Sequence, residues 1–509
     1  MDPYRTQSHA TKGASTMIYS MLFKQIASTF ENAPNPEHTG DLVDTWEFTP
    51  DGLVMSATIR QNAHFSPPVD RGLDSGDVAF SFERFLGTGG GEPAPNHKQL
   101  GFIETVETPD DYSMVLGFNR RFARALWRMA DVFNMCIMPR ETGTAFDPTV
   151  EMVGTGPFVM DEFKTDVNWK VARNPNYYHA PLPYFDAVED LVLERAQVLT
   201  QFQAGNIDHA STIGPDAIPG LISDFPDGRI EPRKQLGWGY ISRGEPRDGS
   251  APWDDPRVRH AISLALRRDD MVEAVYNVSG LEAIGLDVAS RVGWHGALPA
   301  GYPGQSVDPK TDPVIGQWVR HDLAEAKKLL DAAGQGDGFS VPYHYTTVYG
   351  TAWKLEAEII PQLVREIGID FQTTVDDYAS VYQPKTFHGD FDGVAFQLQA
   401  FPDHGDYLTA MFTNPQDPGR NHSKVDDQAV FDAVDAINSE IDVETRNEMI
   451  RNLQRDHLIE PMWYIPGVVW QLGWQGFNKR IQQPEAWNGN GRGGEQVFAW
   501  PWWWIDDDA

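Results

Sequence analysis

The chain has 509 residues, 41% hydrophobic and 22% charged, with 41 Lys and Arg against 73 Asp and Glu and a formal net charge of −32. A single core stops growing at roughly 250–300 residues, so two or three lobes are expected, and so acidic a surface repels phosphate backbones, which argues against nucleic acid as a partner. No segment approaches the ~20 consecutive apolar residues that span a bilayer. Only 13 of the basic residues are Lys, a composition that would suit a saline habitat. Cys136 is the single cysteine, so neither an internal disulfide nor a multi-Cys metal site can form; it sits in the apolar run Phe133-Asn-Met-Cys-Ile-Met138 and reads as a buried, inert thiol. Met1 to His9 is polar and lacks the basic start and apolar stretch of a signal peptide. The protein is therefore expected to be cytoplasmic or to have lost an export segment.

In chain order, Leu53 to Arg60 alternates apolar and polar residues after the turn Pro50-Asp-Gly52, the pattern of a half-buried strand. Asp74 with Asp77 predicts a capped helix over Ser75–Leu86, with Val78, Phe82 and Phe85 on its apolar face. Gly87 to Gly91 is a loop, not a phosphate cradle, since no Lys-Ser/Thr ending follows. Strands are predicted from Gly154-Thr-Gly-Pro-Phe-Val159 onward, at Asn168–Arg173 and at Ala187–Leu193, and a helix over Val198–Ala204. From about 245 longer helices take over. One carries Val258, Ala261, Ile262, Ala265 and Leu266 as a stripe, and another starts at the Asp322/Glu325 box and ends at Gly334. A third, Ala352–Ile367, contains Pro361, which should kink it or mark its start. Phe391–Phe396 and the stretch Glu460–Trp470 read as strands, and Phe477 onward is again strand-like and aromatic.

Several blocks resemble solute-binding protein family 5, the dipeptide-, oligopeptide- and nickel-binding proteins of ABC importers. They are Leu42-Val-Asp-Thr-Trp46 with Asp51-Gly52 and Ile59-Arg-Gln-Asn-Ala-His-Phe65; Asp77-Val-Ala-Phe-Ser-Phe-Glu-Arg84; Gly154-Thr-Gly-Pro-Phe158 with Arg173-Asn-Pro-Asn-Tyr-Tyr178; Gln203-Ala-Gly-Asn-Ile-Asp208; and Asp255-Pro-Arg-Val-Arg-His-Ala-Ile262. Each is weak alone, but their shared order and spacing are specific and cover nearly the whole chain. The resemblance implies an α/β, two-lobed periplasmic-binding-protein-like fold (type II, the large cluster with an extra inserted subdomain) and a hinge of two strands near Leu236–Ser242 and Met462–Trp470. Lobe I would comprise residues 1–24, 153–240 and 465–509, with the subdomain inserted at 25–152, and lobe II residues 241–464. Met1-Asp-Pro resembles the segment after the family's first strand, so a signal segment is expected to be missing from this chain.

The function so implied is capture of a short peptide or similarly sized polar solute by hinge closure, outside the cytoplasm, as a secreted, periplasmic or lipid-anchored protein. It would be a monomer that hands its ligand to the membrane permease subunits of an ABC transporter. An oligosaccharide or a metal chelate of the nickel type is the alternative ligand.

The expected ligand-binding residues fall in three places. Trp238 and Tyr240, in Leu236-Gly-Trp-Gly-Tyr240, offer flat faces to a sugar, peptide bond or aromatic ring, or else pack in the core. Gln397, Gln399, Phe401 and Asp403 lie in Phe391-Asp-Gly-Val-Ala-Phe-Gln-Leu-Gln-Ala-Phe-Pro-Asp403-His-Gly-Asp-Tyr-Leu408, a block that resembles the family's ligand-side segment; the two amides suit a polar, uncharged ligand. In the family's peptide binders an Asp in this block pairs with the peptide α-amino group. That position aligns with Ala400 here, and Asp403 either substitutes for it or forms a turn. Ser8 and His9 follow the Asp-Pro start, a segment that borders the cleft in relatives. No catalytic residue, cofactor or metal site is expected. The sequence carries no Gly-x-Ser-x-Gly elbow, no His-Glu-x-x-His and no nucleotide loop to support the rival reading of a hydrolase.

Overall fold

Local signals set the frame of the first part of the chain. In the computed structural model, which describes residues 1–6, 9–26, 38–164, 167–234, 237–244, 251–401, 403–413, 421, 423–469, 472–482 and 500–506, the Asp74 box opens a helix as predicted. Asp74 Oδ1 accepts from Gly76 N–H at 2.9 Å, and Asp77 Oδ2 accepts from Asp74 N–H at 3.1 Å. Helix α1 (His9–Ile18) precedes this helix, α2 (Ser75–Leu86), which ends where Gly87 takes φ 76°. Val78, Phe82 and Phe85 are buried on one face of α2, and the buried Asp77 carboxylate is held by Arg71 at 2.6 and 2.8 Å.

The chain divides into two compact units, residues 1–208 with 477–509, and residues 209–476. The first contains a four-stranded antiparallel sheet of β1 (Val43–Phe48), β2 (Val54–Ile59), β3 (Ile103–Asp110) and β4 (Ser113–Phe118) in the order β1-β2-β4-β3. Met55, Ala57 and Ile59 of β2 are buried while Ser56 and Thr58 face solvent, the alternation read from the sequence. A three-stranded antiparallel sheet follows, β5 (Phe158–Lys164), β6 (Asn168–Arg173) and β7 (Ala187–Leu191). Trp500 and Trp503 join this unit's core, with Trp500 stacked on Trp169 at 6.2 Å. Cys136 is fully buried here, and burial pushes its thiol up to about 12, so it stays protonated.

The Gly-Thr-Gly block has a packing cause. Gly156 N–H donates to Ile18 O at 2.8 Å, at the end of α1, and a Cβ on Gly154 would lie 2.1 Å from Ile18 O. Gly154→Ala should therefore lower stability by about 1–3 kcal/mol through overpacking. Gly13→Ala, where a Cβ meets nothing within 4 Å inside α1, should be neutral or stabilising by up to ~1 kcal/mol. Urea unfolding of the two variants checks the contrast.

The second unit is built on a five-stranded sheet of β8 (Trp238–Arg243), β9 (Phe339–Tyr345), β10 (Ile369–Val375), β11 (Val394–Gln399) and β12 (Ile465–Val469), in the order β10-β9-β11-β8-β12. β9 is parallel to β10 and β11, while β8 is antiparallel to β11 and β12. A small sheet of His209–Ala210, Gly228–Lys234 and Leu472–Asn478 accompanies it. Helices α3 (Pro256–Ala265) and α4 (Arg268–Tyr276) precede the crossover helix α5 (Thr351–Val364), and α6 (His404–Met411) follows β11.

Pro361 lies deep inside α5, which starts ten residues earlier at Thr351. Proline cannot donate to the carbonyl four residues back, Ala357 O. The Tyr343 hydroxyl takes that carbonyl instead, at 3.1 Å, so the helix runs through. The strand predicted from Phe391 begins three residues later, at Val394. Gly393 just before it has φ 92°, and a Cβ there would meet Pro342 O at 2.2 Å. Within Glu460–Trp470 only Ile465–Val469 is strand; Trp470 lies outside the described residues.

Candidate functional site

Parallel strands bring their carboxyl ends to one side of a sheet, which is where open α/β sheets bind ligands. In the second unit these ends are Tyr345, Val375 and Gln399. Since β8 runs against β11, its first residues meet the last residues of β11: Trp238 pairs with Gln399 and Tyr240 with Gln397. Residues more than 150 positions apart in sequence thus form one patch.

Aromatic contacts fill the patch. Trp238 lies 4.8 Å from Tyr240, 5.9 Å from Tyr407 and 5.5 Å from Tyr464, between ring centroids. Phe401 meets Tyr407 edge-on at 4.9 Å. The Tyr407 hydroxyl donates to Gln399 O at 3.2 Å and accepts from Phe401 N–H at 3.2 Å, which pins the exit of β11. Tyr302 adds a second hydroxyl, donating to Phe401 O at 2.6 Å. Trp238, Tyr240, Gln397, Gln399 and Phe401 are all buried. Buried tyrosines and tryptophans ordinarily find a polar partner. The Trp238 indole N–H is an exception, meeting no acceptor among the described residues.

Gln397 belongs to a chain of hydrogen bonds that leaves the patch. Tyr240 OH donates to its Oε1 at 3.3 Å, and its Nε2 donates to Thr386 O at 2.5 Å. Thr386 Oγ1 donates to Asp376 Oδ2 at 2.5 Å, and the other oxygen of Asp376 accepts from His344 Nδ1 at 3.1 Å. Both ends of the Gln397 amide are thus engaged inside the unit.

Asp403 is the N-cap of α6, accepting from Asp406 N–H at 2.8 Å, the turn-forming role considered from the sequence. Next to it the buried His404 donates from Nε2 to Pro299 O at 2.7 Å. Burial pushes this imidazole down to about 4, and the neighbouring His295 down to about 3, so both are neutral near pH 7. Ser8 lies outside the described residues, as does the side chain of His9, the first residue of α1.

Sequence reading missed Tyr302, His404, Tyr407 and Tyr464. A signal existed for two of them: the cap at Asp403 starts a helix, and His404 and Tyr407 then stand three apart on one face. Tyr302 and Tyr464 come from distant segments and carry no local mark. The patch supplies aromatic faces and neutral hydrogen-bonding groups, a chemistry suited to contact with a polar solute and not to acid–base catalysis. Among the described residues no group of three or more His, Cys, Asp or Glu is placed to hold a metal ion.

The fold is that of the periplasmic binding proteins. The ABC transporter-associated periplasmic binding protein of Helicobacter pylori, solved in complex with a peptide, superposes with a TM-score of 0.80 at 19% identity, over 99% of this chain and 96% of that one. The model of the bacterial extracellular solute-binding proteins, family 5 (middle region), matches residues 37–419, and the chain belongs to that family. Among curated relatives, a probable di/tripeptide-binding protein of Pseudomonas aeruginosa is 27% identical over 314 residues, or 57% of this chain. The match takes in 54% of that relative, about half its length. A dipeptide-binding protein of Escherichia coli is 24% identical over 458 residues, 83% of this chain and 78% of the other.

Proposed function

We propose that this protein captures a short peptide, or a polar organic solute of similar size, for an ABC importer. It works outside the cytoplasmic membrane, as a monomer, by hinge closure, and passes the solute to membrane permease subunits without chemical change. The observation that carries the reading is family membership over residues 37–419, joined to similarity to di- and tripeptide-binding relatives. Within the reading, residues 25–152 are the inserted subdomain, and the neighbouring strands β8 and β12 serve as the hinge pair. Trp238, Tyr240, Gln399 and Phe401 line the solute site, and Gln397 supports them. The Trp238 N–H, a buried donor with no acceptor among the described residues, suits a peptide carbonyl or carboxylate oxygen. The nickel-chelate alternative is not favoured, because these curated relatives are peptide binders.

Micromolar capture corresponds to about −8 kcal/mol, which an enclosed set of contacts supplies without catalysis. Titrating the purified chain with a panel of di- and tripeptides by calorimetry should give saturable 1:1 binding. At a hundred times Kd the ligand should stabilise the fold by about 2.7 kcal/mol, visible as a raised Tm. Mass spectrometry should recover each peptide intact. Cleavage of the peptide, or a panel with no binder, would refute the reading.

A further inference from the structure

Strand β12 is the edge of the five-stranded sheet and carries a bulge. Tyr240 pairs with Pro466 and Trp238 with Val469, so Gly239 alone opposes Gly467 and Val468. A bulge leaves ladder groups unpaired and re-aims the strand. Two buried ionisable side chains hold the bulged segment from the helices behind, one at the bulge residue Val468 and one at the adjoining Pro466. Glu356 of α5 accepts from Val468 N–H at 2.6 Å. Arg268 of α4 donates to Pro466 O at 2.6 Å, with further bonds to Val319 O at 2.5 Å, Ser263 O at 3.0 Å and Ser263 Oγ at 2.9 Å. Each is 1% exposed. The fit is close: a Cβ on Gly467 would stand 2.4 Å from Glu356 Oε1 and 3.0 Å from Gly239 O.

We infer that Glu356 and Arg268 are positioning residues for the Trp238–Tyr240 patch, acting through the β12 bulge, and that the charge on Glu356 sets how firmly the bulge is held. The inference rests on reading that patch as part of the solute site. A hydrogen bond to a carboxylate is roughly twice as strong as one to a neutral acid. Ionisation therefore tightens the grip on Val468 N–H and, through the paired register, shifts the setting of Trp238.

Burial pushes Glu356 up to about 8, against the pull of Val468 N–H and Arg268, which places the change within an accessible range. The groups that feel this carboxyl are Arg268 and Tyr276 on α4 and Tyr343 on β9. Burial lowers Arg268 from its ordinary value, against the pull of Glu356, but a guanidinium keeps its charge across this range. Burial lifts both tyrosines well above 10, while His295, which faces Arg268, is neutral throughout.

The test needs no ligand. The full chain is labelled with 5-fluorotryptophan, and the Trp238 fluorine resonance is assigned by its loss in Trp238→Phe. Between pH 6.5 and 9.5 that resonance should move with a midpoint near 8, while the Trp169 and Trp500 resonances of the first unit stay in place. In Glu356→Gln, which keeps an acceptor for Val468, the movement should vanish. In Arg268→Lys, which keeps the charge without the planar fork, the midpoint should shift. A Trp238 resonance indifferent to pH in the wild type overturns the proposal whether or not the variants fold. So does an unchanged titration in folded Glu356→Gln, as expected of a residue that only supports the fold. Peptide binding is scored separately, so loss of the peptide reading would leave this result standing.

Discussion

Trp238→Ala is expected to cost about 3–5 kcal/mol of stability and to abolish measurable solute binding. The side chain is fully buried, and its removal leaves a cavity bounded by Tyr240, Tyr407 and Tyr464. Large-to-small changes in cores lose both the transfer energy of the deleted atoms and the contacts of the cavity walls. Because the loss of stability would itself impair binding, the informative partner is Trp238→Phe. Phenylalanine keeps an aromatic face but has no N–H. A donor that meets a ligand oxygen contributes about 1 kcal/mol net, so the Phe variant should bind the best peptide of the panel roughly fivefold more weakly. Calorimetry against that peptide, with urea unfolding in parallel, separates the two effects. Equal affinity in Trp238→Phe and the wild type would remove the indole N–H from the site and leave Trp238 as core.

How much of this was readable in advance depends on the range of the interactions involved. Signals within four residues read well. The Asp74 box, the Asp322 cap accepting from Glu325 N–H, and the strand over Asn168–Arg173 are all present where expected. The two segments that build the patch were also visible, as Leu236–Tyr240 and Phe391–Leu408, because the family resemblance marks them. Their meeting was not. The pairing of Trp238 with Gln399 depends on the direction and order of strands 161 positions apart, and nothing in either segment states it. Pro361 shows the same limit from another side. Helix propensity alone ends or bends α5 there, and only Tyr343, on a neighbouring strand, supplies the missing donor. Glu356 reads in sequence as one more acidic residue of an amphipathic helix. Its place on the buried face of α5, at helical spacing from Trp353 and Ile360, is a local pattern, but the Val468 N–H that satisfies it sits in the β12 bulge, which no local pattern announces.

The second large effect should appear in the first unit, at Asp41. This carboxylate is buried yet fully served: Met21 N–H donates at 2.9 Å, Tyr178 OH at 2.8 Å and Lys24 Nζ at 3.3 Å, with His179 Nε2 at 3.7 Å. Burial alone would raise its pKa. The Lys24 charge and the hydrogen bonds overcome that and hold it well below the ordinary value of 3.8. Asp41→Ala would strand an ammonium and a backbone N–H at one point, while the Tyr178 hydroxyl keeps Ser20 Oγ at 2.8 Å. Breaking a buried ion pair from one side costs about 3–5 kcal/mol, and the partial exposure of Lys24 favours the lower end. Asp41→Asn keeps the shape but not the charge and should cost less.

The sign of the pH effect follows from the lowered pKa. At neutral pH the folded and unfolded chains both carry Asp41 ionised, and its stabilisation is fully present. As pH falls through 3.8 the unfolded chain takes up a proton that the folded site resists, so stability drains away. The gap between wild type and Asp41→Asn, read by urea unfolding, should shrink from pH 4 downward. A gap that held steady to pH 3 would mean that the carboxylate charge does not contribute, and that Tyr178 and Met21 are equally well satisfied by an amide.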